Sequence, residues 1–72
     1  MRKISSNTYM KALGLFVMAR NHAAEAEKFR ELLERMLESD PYSHIADAIY
    51  DGGKERDFDA ALMLEGIEVE KQ

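Results

Sequence analysis

Few residues of this 72-residue chain have the types and spacing that catalysis or metal binding requires. His44, Asp47 and Asp51 would share one helical face at positions i, i+3 and i+7, where an imidazole and two carboxylates could hold a metal. Metal-binding helices present denser sets, such as the paired histidines of H-E-x-x-H, so a solvated outer face is the favoured interpretation. We therefore predict no metal ligands, no cofactor and no catalytic residues, and expect the protein not to be an enzyme.

Two further candidates for chemistry are weaker. The run Gly52-Gly53-Lys54 lacks the spacing of a phosphate-binding loop and follows no strand, so it is interpreted as a helix stop. His22 has no nucleophile or acid beside it on the same helical face, which argues against catalysis. Two interpretations of His22 stay open: a packed histidine with one hydrogen bond, and a pH-sensitive residue in a helix interface.

The charge of the chain is unevenly distributed. Residues 1–24 carry four basic residues and no acidic one, whereas residues 25–72 carry six basic and fourteen acidic residues. The net charge of −4 argues against direct binding of nucleic acid, because phosphates demand a basic surface. Either the acidic half is simply solvated, or it is a recognition surface for a basic protein, such as one that binds nucleic acid. The candidate partner-binding residues of that surface are Asp47, Asp51, Glu55, Asp57 and Asp59.

Small and large apolar side chains alternate along the first half of the chain. Ala12, Ala19 and Ala26 lie seven residues apart, and the intervening steps of three and four are those of one helical seam. Small residues at every seventh position allow a second helix to approach closely. We therefore predict self-association, as an antiparallel homodimer. The residues predicted to form this contact are Ala12, Leu15, Ala19, His22, Ala26, Phe29, Leu33 and Met36.

The elements that would position these residues are helical. Good N-cap residues at positions 5–8 and the absence of proline before Pro41 predict one long helix over about 6–38. A break near Asn21 is the alternative, because Arg20 would close a first helix where the charge changes sign. The apolar run within this first segment, over residues 12–19, is too short to span a bilayer.

Two short helices and a tail are expected to follow. Asp40-Pro41 predicts a helix over about 41–51, and Asp57 is expected to cap another over about 57–65. Gly66 would end this last helix in the left-handed conformation, with Ile67 folding back onto it. The alternation of Ile67 and Val69 with acidic residues suits a short edge strand or an extended tail.

Length and composition complete the prediction of a single all-α domain. A chain of 72 residues with no cysteine must derive its stability from helix packing or a partner, and the lack of disulfides favours the cytoplasm. The predicted function is a small helical protein–protein interaction module that self-associates through its first helix and presents its acidic half to a partner. The alternative is an acidic inhibitor, of the kind found in phages and bacteria, that mimics a phosphate backbone and blocks a nucleic-acid-binding enzyme.

Overall fold

A computed structural model of the protein describes residues 2–38, 44–50 and 54–70. In order, these residues form strand β1 (Arg2–Ile4), helices α1 (Ser6–Asn21), α2 (Ala26–Leu37), α3 (His44–Tyr50) and α4 (Glu55–Leu64), and strand β2 (Ile67–Val69). The predicted all-α class is confirmed, with the addition of a short strand pair. The predicted boundary signals at Asp40-Pro41 and Gly52-Gly53 lie outside the described residues.

The first helix is broken, so the prediction of one continuous helix over about 6–38 is wrong and the alternative near Asn21 is confirmed. His22 has φ −123° and ψ 73°, which ends α1, and a 3₁₀ turn over Ala23–Glu25 leads into α2. A continuous helix would be about 50 Å long, whereas the longest dimension of the molecule is 34 Å. Folding back places α2 along α1 and lets both helices bury their apolar faces in one chain.

Local hydrogen bonds account for the helix ends. The Ser5 hydroxyl accepts from the Thr8 N–H at 3.0 Å and caps α1. Helix α4 begins two residues earlier than predicted, because Asp57 serves as its third residue and accepts from the Lys54 N–H at 2.7 Å. Gly66 ends this helix with φ +72°, and Ile67 is buried beyond it, as predicted.

The core lies where all four described helices meet. Phe16 of α1 and Phe58 of α4 are fully buried with ring centroids 4.9 Å apart. The two short helices contribute one buried face each, with Ile45, Ala46 and Ile49 on α3 and Phe58, Ala61 and Leu62 on α4. The main core cluster comprises Ala12, Phe16, Ala19, Leu33, Leu37, Ile45, Ile49, Phe58, Ala61, Leu62 and Ile67.

One partly buried ion pair lies within α2, beside α3. Glu34 of α2 is 6% exposed, and both of its carboxylate oxygens accept from Arg30 Nη1, at 2.9 and 3.0 Å. Arg30 Nε also donates to the hydroxyl of Tyr50 on α3 at 3.2 Å. These hydrogen bonds raise the pKa of the Arg30 guanidinium, chiefly through Glu34. The pair therefore ties α3 to α2 beside the core.

The two strands join the ends of the described chain, and β1 was not predicted. They pair in parallel with Arg2 opposite Ile67 and Ile4 opposite Val69. The Arg2 guanidinium donates to the carbonyls of Leu37 and Glu38 at the end of α2. A cation at a helix C-terminus is electrostatically favourable, so Arg2 anchors β1, and through it β2, to the α1–α2 hairpin.

Candidate binding groove

The predicted alanine seam is used mostly inside the single chain. Ala12, Ala19, Ala26 and Leu33 are buried in the fold. Leu15 and Phe29 are half-buried, while His22 and Met36 are exposed. The His22 ring lies 6.4 Å from that of Phe29, beside the break between α1 and α2. The small residues thus allow close approach of α2 to α1, and self-association stays a prediction that needs other surface residues.

The outer face of α1 is apolar as well. Met10 is 62% exposed and Met18 is 44% exposed, with the half-buried Val17 between them. Gly14 lies at the centre of this face, and apart from the adjacent residues and backbone of its own helix, no heavy atom of the described residues lies within 4 Å of where a β-carbon would be. Lys11 is the charged residue on this side of the helix. A helix that is apolar on both its inner and outer faces is typical of one that is covered from two directions.

The acidic residues divide into those that stabilise helix ends and those that are free of that role. Asp57 caps α4, and Glu65 accepts from the His44 N–H at 2.6 Å, at the start of α3. Asp47, Glu55 and Asp59 are exposed, and Asp51 lies outside the described residues. Within the described ranges, no three His, Cys, Asp or Glu side chains come close enough together to hold a metal ion.

A groove of about 610 Å³ runs between α4, β2 and the first turn of α1. Its apolar lining consists of Tyr9, Leu62, Met63, Ile67 and Val69. Asp59 and Glu68 are the ionisable acids along it, and no basic side chain of the described residues lines it. Met63 is 79% exposed and the adjacent Leu64 is 67% exposed, so this end of α4 presents a large apolar area to solvent.

Tyr9 and Asp59 define one end of the groove. The Tyr9 hydroxyl donates to Asp59 Oδ1 at 2.6 Å, and the Tyr9 ring lies 5.9 Å from that of the buried Phe58. Burial of the phenol, followed by its hydrogen bond to Asp59 and the nearby charges of Asp59 and Glu55, raises the pKa of Tyr9 to about 12. Tyr9 therefore stays neutral and holds the Asp59 carboxylate in place.

The groove has the chemistry of a binding surface. It combines an apolar floor with the fixed carboxylate of Asp59 and the exposed carboxylate of Glu68, an arrangement suited to a ligand that carries both apolar and basic groups. The sequence predicts an acidic surface that includes Asp59, and either a short edge strand or an extended tail over 67–69, of which the strand is confirmed. It does not predict the groove, because Tyr9 lies fifty positions from Asp59 and no local pattern connects them.

No family model matches the chain, and neither a curated protein nor a solved structure shows significant similarity to it. In the described part of the chain, no helix has the length and apolarity that crossing a bilayer requires.

Proposed function

We propose that the chain is a small, non-enzymatic protein–protein interaction module that presents an acidic surface to a basic partner. The observation that carries the proposal is the groove beside α4, an exposed apolar surface whose charged side chains are all acidic. Contiguous exposed apolar area is a mark of protein interfaces, and charge complementarity then selects the partner. Asp59 and Glu68 supply the negative charge, and Met63 supplies adaptable apolar contact.

The proposed module also self-associates through α1, using the outer face around Gly14. The missing side chain at Gly14 allows the backbone of a second helix to come close. In an antiparallel pair that crosses at Gly14, Met10 of one copy meets Met18 of the other. The two Lys11 side chains then lie at opposite ends of the contact, whereas a parallel pair would set them side by side. These features favour a symmetric dimer in which two copies of the chain pack through this face.

Affinity capture with matched variants tests the acidic surface. Asp59→Asn with Glu68→Gln removes two charges from the groove, and Glu27→Gln with Glu31→Gln removes two exposed charges from α2. We expect the wild type and the α2 variant to retain a basic protein from a host extract that the groove variant loses. Retention of the same proteins by all three chains would contradict the proposal.

The same experiment examines inhibition by phosphate mimicry, which the exposed carboxylates of Glu55 and Asp59 on one face of α4 favour as the second candidate. If the protein lost from the groove variant is a nuclease or polymerase, its activity should fall stoichiometrically when the wild-type chain is added. If the retained basic protein keeps full activity in the complex, the proposal of an inhibitor is excluded and the proposal of an interaction module stands.

Sedimentation at micromolar concentration tests self-association. Met18→Glu places a charge on the outer face of α1 and should shift the chain to monomer, because an unpaired charge in an apolar contact is strongly unfavourable. Met63→Glu introduces the same charge in the groove beside α4, outside the proposed contact around Gly14, and should leave the dimer unchanged. A wild-type chain that sediments as a monomer throughout this concentration range would rule out the dimer.

A further inference from the structure

The two-stranded sheet has two edges, and its open edge along β2 lies beside the groove. The Arg2 N–H donates to the Gly66 carbonyl at 2.9 Å, and the Glu70 N–H donates to the Ile4 carbonyl at 2.8 Å. The backbone of residues 66, 68 and 70 therefore faces β1, and the backbone N–H and C=O groups of Ile67 and Val69 point the opposite way. No backbone hydrogen bond from the described residues covers those four groups.

The open edge and the groove are parts of one surface. Ile67 and Val69 line the groove with their side chains, while Leu62 and Met63 of α4 form its far side. An extended chain laid along β2 would have its backbone at the open edge and every second side chain against the apolar lining. This combination of a free strand edge and adjacent apolar pockets is the arrangement used in peptide recognition by strand addition.

Charge selects the occupant. A second copy of β2 on this edge, in a symmetric antiparallel pair, would bring Glu68 and Glu70 beside the same residues of its partner, which is unfavourable. A basic strand does not meet this repulsion. The chain itself provides the precedent, because Lys3 of β1 pairs in register with Glu68 on the other side of β2.

We propose that the open edge of β2 binds an extended peptide as a third strand, and that this peptide alternates apolar residues with lysine or arginine. Its apolar side chains enter the groove between Tyr9 and Met63, and its basic side chains lie on the face of Glu68. Its backbone hydrogen bonds with Ile67 and Val69. The inference rests on the proposed function, since it specifies how a basic partner is recognised.

The probe for the test is a blocked synthetic peptide of alternating valine and lysine, labelled for fluorescence anisotropy. A second peptide has the same sequence, but alternate backbone amides on one edge are N-methylated, so its charge and side chains are kept while strand pairing is blocked. We expect the parent peptide to bind and the methylated one to bind roughly thirtyfold more weakly, the effect of two lost hydrogen bonds. Hydrogen exchange at the Ile67 and Val69 amides should slow when the parent peptide is bound.

Charge reversal supplies the matched controls. Glu68→Lys should shift preference from the valine–lysine peptide to a valine–glutamate peptide, while Glu31→Lys, an equal change of net charge on α2, should not. Because Glu68→Lys also faces Lys3, Glu68→Gln is included. This variant introduces no repulsion between β1 and β2. It should weaken binding of the valine–lysine peptide and leave binding of the valine–glutamate peptide unchanged.

Three results would overturn the inference. These are equal affinity for the methylated peptide, unchanged exchange at Ile67 and Val69 on binding, and protection of those amides that rises with protein concentration without peptide, which would place a second copy on the edge. If any of these occurs while the groove variant still loses a basic protein in the capture experiment, strand addition fails and the proposed function stands. If the peptide binds and protects the Ile67 and Val69 amides, but the wild type and the groove variant capture the same proteins, the peptide site on β2 stands and the proposed basic partner fails.

Discussion

At the scale of single residues, burial of Glu34 makes Arg30 indispensable. A buried carboxylate without its counter-charge costs far more than the pair contributes when intact. The i, i+4 spacing of Arg30 and Glu34 is visible in the sequence, but so are several other charge pairs along α2. Which pair is buried depends on where α3 is placed, because Tyr50 is the third member of the network.

We expect Arg30→Met to lower the free energy of unfolding by about 3 kcal/mol, because it leaves Glu34 unpaired in its buried site. Urea denaturation followed by circular dichroism measures this loss. Glu27→Gln is the matched control, since Glu27 is exposed and lies 3.6 Å from Arg30, and its effect should stay below about 0.5 kcal/mol. Adding Glu34→Leu to Arg30→Met should recover stability. If the double variant is no more stable than Arg30→Met, buried charge is not the cause.

Tyr9 should ionise near pH 12, whereas an ordinary tyrosine has a pKa of 10.0. Since the pKa in the folded state lies above the unfolded value, this interaction stabilises the fold fully below pH 10 and is lost as the pH rises through 12. Tyrosinate absorbance of the wild type, with that of Tyr9→Phe subtracted, reports the titration. Asp59→Asn should lower the midpoint without restoring the ordinary value, because burial is the larger cause. A wild-type midpoint at the ordinary value would show that Tyr9 is solvated.

At the scale of elements, the α1–α2 hairpin replaces an expected long helix. The heptad spacing of the alanines is real, but it serves a contact within the chain. Ala19→Leu should lower the free energy of unfolding by about 1–3 kcal/mol, because Ala19 is 2% exposed and the added methylenes overpack the hairpin. Met18→Leu, at the neighbouring exposed position, should change it by less than about 0.5 kcal/mol. Equal stability of Ala19→Leu and Met18→Leu would mean that α2 does not lie against Ala19.

Two glycines in different elements should respond oppositely to the same substitution. In the monomer, Gly14→Ala should raise the free energy of unfolding by about 1 kcal/mol, because the site is helical with open space around it in the single chain. Gly66→Ala should lower it by about 1–2 kcal/mol, because alanine is strained at φ +72°. Thermal and urea denaturation of the two variants provide the comparison. A neutral Gly66→Ala would indicate that α4 ends without the left-handed turn.

At the scale of the whole molecule, one core joins every described helix, so it should unfold as a unit. Phe58→Ala removes a fully buried ring that contacts Phe16 and Tyr9, and should cost about 3–5 kcal/mol. A domain of this size is stable by roughly 4–11 kcal/mol, so the variant should melt at a much lower temperature with a single transition. Met63→Ala on the same helix should have little effect. Separate melting of the α1–α2 hairpin in Phe58→Ala would contradict a shared core.

The sequence by itself determined the local features of this protein. A helix start among residues 5–8 and the ending of α4 at Gly66 follow from interactions between residues a few positions apart, so local patterns reveal them. Tertiary structure decided the break at His22, the pairing of β1 with β2, the burial of Glu34 and the groove between Tyr9 and Met63. Each of these depends on contacts between distant segments. The 22–26 segment is a good helix former, yet burial of two apolar faces against each other outweighs that local preference and turns the chain back on itself.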